Sequence, residues 1–477
     1  MFQDTISAVS TPRGKGGVAV IRISGHDALA IADRVFKPAN AGVPLKDEPR
    51  KARLGTILAP CNGAGNTWTS VDQGLALFFP GPSSFTGEDV VELHCHGGAL
   101  LTETILSATF VAGARAATAG EFTRRAFLNG KMKLTEAEAL GMMLEASTES
   151  QIQLASTILQ KGSPLSHELN LIYDELVLLL STAYAQIDYP DEDLGELSPE
   201  ECLDKINSVE ERLESLLSTF QTGHAVIEGI ETVLCGRTNV GKSSVYNRLV
   251  GSEQAIVTNI PGTTRDILVH QAVCGDVLLN LNDTAGIRES DPEDPVEKIG
   301  ISRALSKLGG AELILAVFDA SSELTEADHA VVSALKSTMR EHPSQNIMIL
   351  LNKCDLPVVV KEETITALFD RKLPIFLLST LTGEGWDHVT DYIQKAFIDG
   401  SLNLNESAIV MNARQHACLL SALEAVRRGK ASLIDGITFD VVSSDLEEAL
   451  EALKQTDGRS VSEDIVASIF SHFCVGK

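Results

Sequence analysis

The sequence predicts a multidomain chain of three parts: an α+β N-terminal domain, an all-α helical domain, and an α/β P-loop nucleotide domain inserted into the helical one. Three observations predict it. Short apolar runs alternate with turns through residues 1–120. Apolar residues recur at three- and four-residue spacing within 121–225, and helical periodicity returns over 403–477. Between those tracts, 226–398 carries Gly236-Arg237-Thr238-Asn239-Val240-Gly241-Lys242-Ser243-Ser244, the phosphate-loop pattern of a glycine, four residues, then Gly-Lys-Ser. Helical tracts on both sides of a compact α/β segment imply an insertion whose flanks pack as one bundle.

In the N-terminal domain, 17–24, 74–79 and 89–96 read as strands, and helix-like segments fall near 26–36 and 98–112. Gly14-Lys15-Gly16-Gly17 has no helix start after it and reads as a loop. His94-Cys95-His96 places two histidines on one strand face, too few ligands for a metal, so an ordinary polar pair is expected. Helical periodicity follows through 134–159, 169–187 and 199–220. Gly162-Ser163-Pro164 separates the first two, and Tyr189-Pro190-Asp191-Glu192-Asp193 makes an acidic turn before the third. No cofactor box appears in this tract.

The nucleotide domain is legible as chemistry. The apolar strand at 231–235 leads into the loop, whose glycines let backbone N–H groups and a helix N-terminus face phosphate oxygens. Lys242 would reach the β/γ-phosphates, and the Ser243 hydroxyl would ligate Mg²⁺. The run 277–282 leads to Asp283-Thr284-Ala285-Gly286, where the Asp can hold Mg²⁺ through water and the Gly N–H can sense a γ-phosphate. The run 346–351 ends in Asn352-Lys353-Cys354-Asp355, whose carboxylate can accept from guanine N1–H and the 2-amino group. Ser379-Thr380-Leu381 follows a third strand, and Ile260-Pro261-Gly262-Thr263-Thr264-Arg265-Asp266 reads as a mobile switch with Thr264 on Mg²⁺. Four strand-end motifs in this order make the domain an α/β P-loop GTPase domain.

Where Ras-type GTPases carry a water-orienting Gln, this chain has Ile287, which cannot align water. One of Glu289, Asp291, Glu293, Asp294 and Glu297 could take that role. Asn239 offers a neutral oxygen, so a monovalent cation near the phosphates could do the work of an arginine finger.

Composition bounds the rest. With 39 Lys and Arg against 65 Asp and Glu, the formal charge of −26 argues against a large built-in nucleic-acid surface. None of the eight cysteines forms a C-x-x-C pair, which suits reduced core thiols. Met-Phe-Gln-Asp-Thr at the start has no signal-peptide character and no stretch reads as a membrane span, so a cytoplasmic protein is expected. The terminal Phe473-Cys474-Val475-Gly476-Lys477 reads as either an anchored tail or a reactive thiol.

Nearly end to end, the chain resembles the MnmE (TrmE) family of tRNA-modification GTPases. The resemblance rests on GVAVIRISG at 17–25, PGPSSFTGEDVVELHCHGG at 80–98, GEFTRRAFLNGK at 120–131, IDYPD at 187–191, VEKIGI at 296–301, the GTPase motifs and the terminal FCVGK. It implies a folate-binding and dimerisation domain over 1–120, a helical domain over 121–225 and 399–477, and a GTPase domain over 226–398. It further implies a homodimer and a hetero-oligomer with MnmG (GidA), an FAD-dependent flavoprotein. Together these would use a tetrahydrofolate one-carbon unit to build (carboxymethyl)aminomethyl groups on carbon 5 of the wobble uridine of certain tRNAs.

Folate contacts would fall on Arg22, Glu92, Lys131 and Lys477. GTP contacts would come from Asn239, Val240, Gly241, Lys242, Ser243 and Ser244, from Thr258, Thr263 and Thr264, from Asp283, Thr284, Ala285 and Gly286, and from the two base-binding motifs. K⁺ would take Asn239, Thr258, Ile260 and Thr263, Mg²⁺ would take Ser243 and Thr264, and Glu297 would be catalytic. The stretch 286–296 departs from the family in length and in Pro292 and Pro295. The alternative reading is a GTP-dependent RNA or ribosome assembly switch, which needs no folate-like domain.

Overall fold

The computed structural model describes residues 4–12, 14–40, 43–61, 67–188, 198–251, 269–282, 308–343, 345–398, 406–471, 473 and 475–476. They form two compact units, Met1–Gly141 with Asp457–Lys477, and Met142–Thr456.

The first unit is built on strands β1 Ile6–Val9, β2 Val18–Ser24, β3 Phe36–Pro38, β4 Arg53–Pro60, β5 Trp68–Phe79, β6 Val90–His96 and β7 Arg115–Ala116. Among the described residues these make one sheet in the order β3-β4-β5-β6-β2-β1-β7. Alternation decides its two faces. Ala19, Ile21 and Ile23 of β2 point into a core shared with Ile31 and Val35 of helix Ala28–Val35 and Ile105 and Ala108 of helix Ala99–Val111. Arg22 and Ser24 therefore lie on the opposite face. The sequence reading missed β1, β3, β4, β7 and the first half of β5. β4 contains Gly55 and ends at Pro60, and β5 follows Trp68 with the mostly polar stretch Thr69-Ser70-Val71-Asp72-Gln73, so neither shows a clean apolar alternation.

Helix Glu121–Leu128 joins this unit through Phe122, which is buried with Ile6, Ala8 and Ala117. Near the end of the chain, Phe470 and Val466 pack with Ala137. Val475 forms an antiparallel bridge with Ala119, and Ser10 Oγ donates to Gly476 O at 2.9 Å.

In the second unit, helices Pro164–Asp188, Pro199–Ser218, Ala413–Ile434 and Phe439–Asp457 share one core, with Leu169, Ile172, Ile206, Leu213, Leu419, Val426, Leu446 and Leu453 fully buried. Segments on either side of the α/β part thus contribute to a single core, as an insertion requires. The periodic stretch 134–159 is two helices, Leu134–Glu145 and Glu149–Lys161. Thr148 starts the second: its Oγ1 accepts from Gln151 N and Gln151 Oε1 accepts from Thr148 N, both at 3.1 Å. This capping box overrides an otherwise continuous apolar pattern. The acidic turn at 189–193 lies outside the described residues.

The α/β part contains β8 Ile230–Cys235, β9 Val269–Cys274, β10 Val277–Asn282, β11 Leu313–Asp319, β12 Asn346–Asn352 and β13 Ile375–Leu377, in the order β13-β12-β11-β8-β10-β9. The recorded pairings are parallel except that of β9 with β10. Leu313, Leu315 and Val317 of β11 enter one core with helices Lys242–Val250 and Trp386–Phe397. Ile314, Ala316 and Phe318 enter another with helix Glu326–Glu341. A sheet covered on both faces opens its ligand crevice at the carboxyl ends of its strands.

Helix Phe220–Ile227 joins the helical core to β8. Its His224 donates from Nδ1 to Glu228 Oε2 at 2.8 Å and from Nε2 to Glu312 Oε2 at 3.3 Å. Glu312 Oε2 also accepts the Glu231 amide at 3.0 Å, so the imidazolium ties the helix to the base of the sheet. The hydrogen bonds to Glu228 and Glu312 raise its pKa from 6.5 to about 10. A raised folded-state pKa gives stability that is complete below 6.5 and is lost as pH rises through about 10. His224→Gln is therefore expected to destabilise this unit by about 1–2 kcal/mol at pH 6, discounted for the partly exposed glutamates. Urea denaturation at pH 6, 8 and 10 should show that difference shrinking towards zero.

Candidate functional site: a phosphate loop beside a base-reading corner

Strand β8 ends at Cys235 and helix Lys242–Val250 begins seven residues on, so the intervening loop sits at the crevice. Asn239 (φ 61°) and Gly241 (φ 99°) are left-handed, the kind of backbone from which anion-binding nests of N–H groups are made. A Cβ at Gly241 would come within 2.1 Å of Asn352 Nδ2, so only glycine lets the loop approach β12. Lys242 Nζ donates to Gly236 O at 2.9 Å and to Arg237 O at 2.6 Å. Burial, with Arg237 adding to it, lowers the Lys242 pKa. A desolvated ammonium of this kind is primed for an anion. Ser243 and Ser244 are exposed in the first helical turn, beside N–H groups without intrahelical partners. An exposed hydroxyl there fits a Mg²⁺ ligand.

The strand-end motifs Asn352–Asp355 and Ser379–Leu381 meet this loop. Asn352 Nδ2 donates to Val240 O at 2.9 Å, and Asn352 Oδ1 accepts from the Thr380 amide at 3.0 Å and from Thr380 Oγ1 at 3.2 Å. Lys353 Nζ donates to Asn239 O at 2.8 Å and to Asp319 Oδ2 at 2.6 Å. Ser379 Oγ donates to Asp355 Oδ1 at 2.5 Å and accepts from the Leu381 amide at 3.2 Å. Asp355 is exposed, so its other oxygen is open to a ligand edge.

Asp319 was missed by the sequence reading. It closes β11, level with Asn352 across the parallel ladder. Burial alone would raise its pKa, but the hydrogen bonds from Lys353 and Ser321 outweigh that and lower it. The signal was present as an apolar run ending in a carboxylate, Leu313-Ile314-Leu315-Ala316-Val317-Phe318-Asp319.

The structure thus brings together Asn239, Val240, Gly241, Lys242, Asn352, Lys353, Asp355, Ser379, Thr380 and Leu381, with Ser243 and Ser244 on the adjoining helical turn. Thr258, Ile260, Thr263, Thr264, Asp283, Thr284, Ala285, Gly286 and Glu297 lie outside the described residues, as do Cys474 and Lys477. Of the expected metal ligands, Asn239 and Ser243 are described.

A second constellation lies in the first unit. Arg22 and Glu92 face each other across β2 and β6, and Arg22 Nε donates to Glu92 Oε1 at 3.0 Å. Both side chains are 19% exposed. The guanidinium lies 5.4 Å from the Phe85 ring centroid and 5.7 Å from that of Phe122. A carboxylate–guanidinium pair between aromatic rings suits a flat heterocycle with a donor edge, which is the chemistry of a pterin. The stem of Lys131 lies against Gly87, in the loop that carries Phe85. His94 approaches Glu92 at 3.5 Å and His96 pairs with Asp72 at 2.8 Å. Among the described residues, no three His, Cys, Asp or Glu gather to hold a metal.

Comparison with known proteins matches the chain over both units. The model of the "GTP-binding protein TrmE N-terminus" covers residues 5–131, and that of the "MnmE helical domain" covers 134–474. A protein of Geotalea uraniireducens named tRNA modification GTPase MnmE is 36% identical over 476 residues, spanning 100% of this chain and 99% of that protein. One of the same name from Alkaliphilus metalliredigens is 37% identical over 477 residues, covering 100% of both. A third, from Lactobacillus gasseri, is 36% identical over 474 residues, covering 99% of this chain and 98% of the relative.

Proposed function

This chain belongs to the MnmE family, and from that premise we propose that it hydrolyses GTP as part of tRNA modification. The observation that carries the reading is the junction of Asn352 and Lys353 with the phosphate-loop carbonyls of Val240 and Asn239. It sets a guanine-reading carboxylate, Asp355, on the same rigid frame as the phosphate-binding lysine. Lys242 neutralises the β/γ-phosphates, and Asp355 accepts from the guanine N1–H and 2-amino groups, a pair that adenine does not present. Glu297 orients the attacking water. Ser243 and Thr264 would hold Mg²⁺, and Asn239, Thr258, Ile260 and Thr263 would hold K⁺, ions that would supply positive charge against the phosphates.

The finer reading extends to the other unit. Arg22, Glu92, Lys131 and Lys477 bind a tetrahydrofolate derivative, which supplies a one-carbon unit. The chain acts as a homodimer with the flavoprotein MnmG, and the target is carbon 5 of the wobble uridine. The segment 226–398 carries the GTP task, and the folate contacts are drawn from 1–120, 121–225 and 399–477. A basic partner would reconcile tRNA binding with the −26 charge. Among the described residues, no helix is long and apolar enough to cross a membrane.

The test is phosphate release by the purified chain with GTP or ATP, in KCl or NaCl, with and without the flavoprotein, beside calorimetric titration with a reduced folate. The expected result is GTP hydrolysis that is faster in KCl, together with folate binding. Equal use of ATP sinks the GTPase reading. Equal rates in the two salts sink only the potassium assignment, and no folate binding by the folded protein favours an assembly switch.

A further inference from the structure

We propose that Arg248 is a positioning residue that holds the base-reading loop in register with the phosphate loop and so sets guanine discrimination. The proposal rests on the reading of Asp355 given above. No phosphate-loop or base motif includes Arg248, and the structure alone brings it to the site.

Arg248 lies in the last turn of helix Lys242–Val250, six residues from Lys242 and hence about 9 Å further along the axis. Its guanidinium Nη1 donates to Thr380 O at 3.4 Å, and its Cζ stands 5.6 Å from the Trp386 ring centroid, within cation–π range. Gly383, left-handed at φ +87°, makes the space: a Cβ there would fall 2.4 Å from Arg248 Nη2. The loop from Ser379 to Trp386 is therefore held at three points. Thr380 donates to Asn352, Ser379 donates to Asp355, and Arg248 takes the Thr380 carbonyl and the face of Trp386.

The consequence follows from the geometry. Ser379 Oγ occupies Asp355 Oδ1 at 2.5 Å and so fixes how the carboxylate is presented. Arg248 fixes the loop that carries Ser379. One short helix then offers N–H groups to phosphates at its start and restrains the base reader at its end. Loosening Arg248 should blur the two-point reading of guanine more than the binding of phosphate.

The experiment measures equilibrium binding of GDP and IDP to the full chain. Hypoxanthine lacks the 2-amino group, so the GDP/IDP affinity ratio reports on the alignment of Asp355. Wild type should prefer GDP. Arg248→Ala should weaken GDP about 5- to 10-fold and IDP about 2-fold, lowering the ratio, and Arg248→Lys should recover part of it. Trp386→Leu removes the ring from the other side and should lower the ratio in the same direction, which keeps the test alive if Arg248→Ala misfolds. A ratio that stays at the wild-type value in these variants, or GDP and IDP affinities that fall together, overturns the proposal. A wild type that binds GDP and IDP equally, unaffected by Asp355→Ala, fails the Asp355 reading instead.

Discussion

Replacing Arg125 by methionine is expected to destabilise the first compact unit by about 3–5 kcal/mol, the cost of breaking a buried ion cluster from one side. The Arg125 side chain is 0% exposed. It pairs with Asp4 Oδ1 at 2.9 Å, Glu88 Oε1 at 3.1 Å and Glu121 Oε1 at 3.0 Å, and donates to Asp4 O at 2.9 Å. Removing it would leave the Glu88 carboxylate, 10% exposed, without its guanidinium partner, while the Ser24 hydroxyl still donates to Oε2 at 2.8 Å. Glu121 would keep Arg115. Urea denaturation of wild type and variant measures the loss.

The same cluster predicts acid sensitivity. Burial alone would raise the Glu121 carboxyl, but hydrogen bonds from Arg115, the Thr118 amide and Arg125 bring it down from 4.5 to about 2. A depressed carboxyl pKa gives stability that is present above 4.5 and is lost as pH falls towards 2. The wild-type unit should weaken across that window. Glu88 anchors the loop bearing Phe85, the ring beside Arg22, so the folate reading proposed above predicts that reduced-folate affinity falls in Arg125→Met even where the fold survives.

Lys242→Ala is expected to lower GTP turnover by about 10²–10³-fold, the usual cost of losing one preorganised donor to transition-state charge. The ammonium lies over the loop carbonyls of Gly236 and Arg237, so the alanine variant should keep its circular dichroism spectrum while phosphate release falls. Lys242→Arg should not rescue it. A planar five-donor fork cannot occupy a site shaped for a compact ammonium between two carbonyl oxygens. Turnover within a few-fold of wild type in either variant would remove Lys242 from the mechanism.

How much of this was legible beforehand differs between the units. In the α/β part, β8, β10 and β12 were read from short apolar runs ending in motif residues, because a doubly covered parallel sheet writes each strand as a nearly unbroken apolar stretch. Two strands were not named. β11 is as apolar as its neighbours but ends in Asp319 rather than in a recognised motif, and β9 is a polar-flecked edge strand. In the N-terminal unit, half of the sheet was invisible, because β4 and the start of β5 carry glycine, proline and a polar run. The break at Thr148 was hidden because a capping box is a local signal inside a continuous helical period.

The amino-acid sequence by itself determined the class of each part and where the glycine-rich loop and the strand-end motifs fall, since those depend on residue type and near-neighbour spacing. It also determined that the nucleotide part interrupts a helical one, because periodicity stops and resumes. Only the tertiary structure decided that Arg125 is an organising charge, that His224 ties the connecting helix to the sheet, that Arg248 meets the Thr380 carbonyl and Trp386, and that Asp319 meets Lys353. Each of these depends on partners distant in the chain, at a range where sequence spacing no longer constrains distance and burial sets the strength of a charge.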